Sequence, residues 1–341
     1  MARTSRTARP RRRIPRVVLA IGALVVVAGL IAAIAAIGGA VTTLFQALGA
    51  KPPAVDTRIV IPDESKAAQA ARAGEGDAAE NTAAQWLAAQ PTTYWLTPEI
   101  DPIDEVWDRV AHLAGEARDQ DAALAIAVYG LPDRDCGNHS AGGLDPDAYR
   151  EWATRIGDAL RNASDLQKIV ILEPDSIALA SSCGSISDRA GYLRSAVENI
   201  RGVNTWIYLD GGHSAWHPAS EMAELLSATG LLPEVRGVAL NVSNYQDTAA
   251  EFAYAHELSE RLGGIHAVID TSRNGAGPLG SQWCNPSERL VGAAGGSYGD
   301  GVVDTNLWIK PPGESDGECN GGPSAGTWWP DAAAELTRTQ R

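Results

Sequence analysis

Seven short runs of β-branched and apolar residues, separated by amphipathic helical patterns, constrain this 341-residue chain more than any other feature. The runs lie at 92–96, 123–129, 168–172, 205–209, 237–242, 266–270 and 305–310. Between most of them the apolar period changes from two to about 3.6. Asp104–Arg118 places Val106, Trp107, Val110 and Leu113 on one helical face, and 147–161 follows the helix-start pair Asp145-Pro146. Further helical patterns cover 189–200, 220–228 and 248–262. Strands alternating with helices predict parallel βα units. Seven or eight units over about 250 residues predict an α/β barrel of the TIM-like kind rather than an open sheet.

In parallel α/β folds, chemistry collects where strands end. The run Lys168–Leu172 stops at Glu173-Pro174-Asp175-Ser176, because proline cannot donate to a ladder. Asp175 alone reads equally well as the N-cap of a helix starting at Ser176. The other strand ends change the balance. Asp133 and Asp135 follow the second run, Asp210 ends the fourth, Asp270 the sixth, and Glu314 and Asp316 follow the seventh. Carboxylates gathered at one mouth raise one another's proton affinity, which keeps an acid protonated near neutrality. That is what glycoside hydrolysis requires of its general acid. A phosphate-binding loop and a GxSxG nucleophile motif are both absent from the sequence. His213 and His217 stand four apart, but Pro218 follows and no HExxH accompanies them, so a zinc site is not expected there. Glu173 is expected to be buried against backbone or arginine, and Asp270 to anchor its loop.

The ends of the chain set its expected location. Seven of the 28 basic residues fall in 1–16, which holds no acid, so the remainder has twice as many acids as bases. An acidic body excludes nucleic acid as a partner. Residues 17–41 are almost wholly apolar and long enough to cross the roughly 30 Å bilayer core as a helix. This predicts a cytoplasmic segment at 1–16 and a transmembrane signal anchor at 17–41, with everything beyond on the extracellular side. Ala47-Leu48-Gly49 keeps a cleaved signal peptide and a secreted protein open as the alternative. Residues 42–90, with Pro52-Pro53 and few large apolar side chains, read as a linker, and 91–341 as the working domain, expected to be a monomer. Four cysteines without a CxxC pair suggest two disulfides outside the cell. Of three connectivities, Cys136–Cys183 with Cys284–Cys319 ties loops that follow predicted strands. Ten tryptophans against two phenylalanines suit flat platforms for sugar rings. Trp107 and Trp152, within helical patterns, are expected in the core, and Trp206 and Trp308, within strands, are expected to be structural.

LPDRDC (131–136), ILEPDSIA (171–178), YLDGGHSAW (208–216), NVSNY (241–245), IDTSRNG (269–275), WCNPSER (283–289) and LWIKPPGESDG (307–317) together resemble glycoside hydrolase family 6, the cellulases, in an actinobacterial endoglucanase-like form. The resemblance runs from about Tyr94 to the C-terminus. It implies a distorted, partly open seven-stranded barrel and inverting hydrolysis of β-1,4-glucan without metal or organic cofactor. By position it makes Asp175 the general acid, Asp135 its proton-relaying neighbour, Asp210 the group that stabilises developing positive charge, and Asp316 a candidate base or the partner of a cation. It places Tyr129 against the distorted ring and Trp95, Trp216 and Trp283 as stacking platforms. Lys310 and Glu314 would hold sugar hydroxyls, with His213, Asn244 and Arg273 as further polar contacts. The disulfide pairing chosen above matches the family. One position departs: family members commonly carry a water-ordering Ser five residues after the first disulfide Cys, whereas this chain has Ala141, preceded by Ser140. The loops Gly137–Gly143 and Glu318–Thr327 are short, which favours an open groove and internal cleavage. Exo-action of the cellobiohydrolase type, and a surface glucan-binding or remodelling protein with weak or no catalysis, are the alternatives.

Overall fold

The computed structural model describes residues 49–340. The expected basic segment at 1–16 and apolar segment at 17–41 lie outside the described residues. Seven strands, β1 (Tyr94–Leu96), β2 (Leu124–Val128), β3 (Lys168–Leu172), β4 (Thr205–Asp210), β5 (Gly237–Leu240), β6 (His266–Asp270) and β7 (Val303–Leu307), form one sheet in sequential order, every pair parallel. Helices α1 (Lys66–Ala73) and α2 (Ala78–Ala88) precede β1. Then α3 (Val106–Asp119), α4 (Pro146–Asn162), α5 (Ile186–Ile200), α6 (Ala219–Ala228) and α7 (Thr248–Arg261) follow β1 to β5 in turn, and α8 (Pro330–Leu336) closes the described chain.

Strand alternation divides the interior in two. Leu124, Ile126 and Val128 of β2, with Val170 and Leu172 of β3, face the helices in the larger core. Ala125, Ala127, Ile169 and Ile171 point the other way, into a smaller cluster with Tyr208, Val268 and Ile309. Both faces of the sheet are therefore apolar, as a covered parallel sheet requires. The sheet stays open between β7 and β1, which are bridged past the end of β7 by Thr93 N–H donating to Trp308 O at 2.9 Å. This is the partly open seven-stranded arrangement that the sequence implied. The last run is displaced, forming at 303–307 rather than 305–310. The reason is local: the Ile309 and Lys310 N–H groups donate to the Asp270 carboxylate at 3.2 and 2.9 Å instead of to a strand.

The segment expected to be a linker is corrected by the structure from residue 51 onward. Arg58–Val60 pairs alongside Ala123, the residue before β2, filling the edge that three-residue β1 leaves bare. Val60 is fully buried in the main core. Helix α1 is capped by Ser65 and ended by Gly74 in the left-handed region, where glycine carries no Cβ penalty. Asp77 and Glu80 form a reciprocal capping box at the start of α2. Both helices bury alanines and Leu87 against Trp308, Ala333 and Leu336. Small alanine faces gave little sequence signal, yet they permit close helix packing. Trp107 is also corrected: it is 37% exposed, while Trp152 is fully buried with its Nε1–H on Asp101 O. The disulfides are Cys136–Cys183 and Cys284–Cys319, as chosen. Spanning 47 and 35 residues, each contributes about 4 kcal/mol in the chain-entropy picture.

Candidate active site

Backbone strain gathers at the C-terminal ends of β2, β3 and β5. Asp133, Asp135, Cys136, Glu173, Asp175, Asn241 and Ser243 all have φ between 51 and 67°. Non-glycine residues adopt this region at a cost, and such positions concentrate at functional sites. Each is held by its surroundings. The Glu173 carboxylate accepts from Gly130 N–H, Leu131 N–H and Tyr149 O–H, tying the β3 end to the β2 end. Glu173 is thus a buried brace, as expected. Asp270 does the same for the other half of the mouth, accepting from the Ser243, Ser272, Ile309 and Lys310 amides.

Between these braces lies a cavity of about 590 Å³. It is lined by Trp95, Tyr129, Asp135, Ser140, Asp175, His213, Trp216, Asn244, Trp283, Lys310 and Asp316, all singled out in the sequence. The loop residues Asn138, Gln246, Ser281 and Gln282, and Leu179 in a short 3-10 turn after β3, line it too, without a catalytic motif of their own. Asp210 is 1% exposed and sits behind the cavity wall, accepting from Gly212 N–H at 3.0 Å. Arg273 and Glu314 do not line it. Arg273 lies behind Asp316 at 2.9 Å, and Glu314 behind Lys310 at 4.0 Å, where Lys66 of α1 also reaches it at 3.5 Å.

The carboxylates differ in what holds them. Asp175 makes no cap; instead burial and the charges of Asp210, Asp135 and Asp316 push it well above the usual carboxylate range, with Lys310 opposing. Burial lifts Asp210 to about 7 despite the amides of Gly212 and Asp175. Burial also raises Asp135, while the Ser140 N–H on its Oδ2 at 2.7 Å restrains the shift. Asp316 is fully engaged: Oδ1 accepts from Arg273, and Oδ2 from Tyr245 O–H and Asn285 N–H. The site therefore sets a carboxyl raised by burial and by its neighbours' charges beside carboxylates that differ in how tightly they are bound.

The aromatic walls are fixed with equal care. Trp95 donates to Ile309 O at 2.7 Å, meets Tyr129 edge-on at 5.2 Å, and lies under Lys310 Nζ at 5.4 Å. Arg134, within the LPDRDC motif but given no role from sequence, stacks on Tyr129 at 4.7 Å and donates to the Tyr129 and Ser140 carbonyls. The Ser140 hydroxyl faces Tyr129, whereas Ala141 is exposed. Burial, with His217 nearby, pushes His213 down to about 4, so it is neutral. Trp283 is 49% exposed, and its ring lies 5.9 Å from that of His139. His139 also packs against Gly317, joining the loop after β2 to the loop after β7.

The model of the glycosyl hydrolases family 6 matches residues 55–340. Endoglucanase A of Cellulomonas fimi is 40% identical over 256 residues, covering 75% of this chain; the chain spans 56% of that relative's length. Endoglucanase A of Thermobispora bispora is 39% identical over 316 residues, 90% of this chain and 67% of that protein. Among solved structures, an endoglucanase from Mycobacterium tuberculosis in complex with methyl-cellobiosyl-4-deoxy-4-thio-β-D-cellobioside superposes with a TM-score of 0.75 at 35% identity, covering 83% of this chain and 97% of that one. The match begins within the segment expected to be a linker, in agreement with its packed structure.

Proposed function

Because the chain belongs to glycosyl hydrolases family 6, we propose that it hydrolyses internal β-1,4-glucosidic bonds of cellulose or a related β-glucan with inversion at the anomeric carbon. The observation that carries this reading is Asp175 on the wall of a tryptophan-lined cavity, where burial first, and then the charges of Asp210, Asp135 and Asp316, raise its affinity for a proton. Asp175 delivers its proton to the glycosidic oxygen as the C1–O bond breaks. Water attacks C1 from the opposite face, and its proton passes toward Asp135 past Ser140 and Tyr129. Asp210, one layer back, supports the positive charge that develops on the sugar. Asp316, with its oxygens already taken by three donors, anchors the β7 loop rather than serving as the base. Trp95, Trp216 and Trp283 supply stacking faces, and Lys310 holds hydroxyls, with Glu314 and Arg273 supporting from behind. The basic segment 1–16 and the apolar segment 17–41 favour a body tethered outside the membrane, with secretion after cleavage as the other route.

Short loops after β2 and β7 favour endo-action. Exo-action has one observation in its favour, the contact of His139 with Trp283 and Gly317 that joins those loops. Carboxymethyl-cellulose and cellohexaose assays on the wild type and Asp175→Asn test both readings. The expected result is rapid viscosity loss ahead of reducing-end release, an initial α-anomer by NMR, and a fall in turnover of at least about 10³ in the variant. Cellobiose release with viscosity intact would establish exo-action. A β-anomer product would overturn the inverting mechanism, and glucan binding without turnover would make the protein a surface glucan-binding module.

A further inference from the structure

Glu251 has no place in the mechanism above, yet it is completely buried in α7 directly behind the loop that carries the cavity-lining residues His213, Ala215 and Trp216. Its Oε1 accepts the Ser214 N–H at 2.9 Å, and the Ser214 hydroxyl also faces the carboxylate. Its Oε2 is buried with no partner. A buried carboxyl with an orphaned oxygen is costly. A leucine there would fill the space, and a surface loop amide can be satisfied by water, so general packing does not account for it. One turn further along the same helical face, Tyr254 donates its hydroxyl to His217 O at 2.9 Å. The two bonds grip the loop at both ends of the segment Ser214–His217. Within that grip stands Trp216, whose backbone N–H donates to His213 O and whose ring lies between those of His213 (5.7 Å) and His217 (5.8 Å, near parallel). Both His213 and Trp216 line the cavity.

We propose that Glu251, with Tyr254, is a positioning pair that latches the β4 loop to α7 and sets the Trp216 platform for the glucan chain. The proposal rests on the glucanase reading. It assigns these residues to substrate binding through Trp216 rather than to the chemical step, since neither reaches Asp175. Glutamine at position 251 keeps an oxygen for the Ser214 amide, and alanine does not.

The test is a double-mutant cycle on cellohexaose with the full chain: wild type, Glu251→Ala, Trp216→Ala and both together, with Glu251→Gln and Tyr254→Phe alongside. Glu251→Ala should raise KM about tenfold, the worth of one buried hydrogen bond, and change kcat less than about twofold. Glu251→Gln should restore KM to near the wild-type value. Tyr254→Phe, which removes only a hydroxyl, should shift KM in the same direction and keeps the test alive if Glu251→Ala does not fold. The double variant should be no worse than Trp216→Ala alone. Additive losses in the cycle, a KM unmoved by both Glu251→Ala and Tyr254→Phe, or a kcat loss equal to the KM change would overturn the latch while leaving the glucanase reading standing. A folded wild type without turnover would overturn the glucanase reading and the latch with it.

Discussion

Ser140 is the residue on which the single departure from the family pattern turns. Its amide fixes Asp135, a bond that any side chain at 140 would preserve. Its hydroxyl faces Tyr129 at the cavity, on the side where the proposed mechanism brings in water, while Ala141 is exposed to solvent. Ser140→Ala therefore removes one hydrogen-bond donor from the reacting region without disturbing Asp135. The expected effect is about a tenfold fall in kcat with KM little changed, since one hydrogen bond made in the transition state is worth about 1.4 kcal/mol. Steady-state kinetics on cellohexaose check this, and an unchanged kcat removes Ser140 from the mechanism. Most of the lining was legible in the sequence because strand-end acids, tryptophans and a lysine stood in ordered motifs. Arg134 was written in one of those motifs, but its stacking on Tyr129 depends on a loop path that spacing does not encode. Asn138, Gln246 and Gln282 carry no periodic or capping signal, so only tertiary placement brings them to the cavity.

The elements followed the same logic. Strands β3 and β6 fell where the apolar runs put them, because buried parallel strands read as continuous β-branched segments. The error lay in residues 51–90. Alanine-rich helices look like spacer when judged by large apolar residues, but α1 and α2 contribute their bulk through Leu87, and Val60 completes the core beside β2. Lys66 of α1 also reaches Glu314, which stands behind the cavity-lining Lys310. Removal of residues 51–74 should therefore lower Tm by several degrees relative to a chain starting at residue 50, and should weaken cello-oligosaccharide binding as the Glu314–Lys310 arrangement loosens. Thermal melts and calorimetric binding on the two chains compare them directly. Equal Tm and equal affinity would return this segment to the status of a spacer.

At the scale of the whole molecule, burying so many acids couples stability to pH. Asp101, Glu173, Asp210 and Glu251 are each pushed to about 7, in every case chiefly by burial. Unfolded carboxyls titrate near about 4, so between about pH 4 and 7 the folded state binds more protons than the unfolded one, and stability falls as pH rises. His213 works the other way. It is neutral in the fold down to about 4, whereas an unfolded imidazole takes up its proton near 6.5, so its share of stability grows as pH rises toward that value. Carboxylates held low by cations, such as Asp165 beside Arg118, are already ionised in both states above pH 5 and add no slope there. Four raised carboxyls outweigh one depressed imidazole. The melting temperature is therefore expected to be higher at pH 5.5 than at pH 8, and Glu251→Gln should flatten that dependence by removing one titrating group, worth at most about 1.4 kcal/mol per pH unit. A melting temperature that is flat or rises over this interval would show that the buried acids ionise without cost. Activity should decline as pH rises, because Asp175, as the proposed acid, donates only while protonated, and the burial and mutual repulsion that hold its proton are the forces that penalise the folded state as the neighbouring acids ionise.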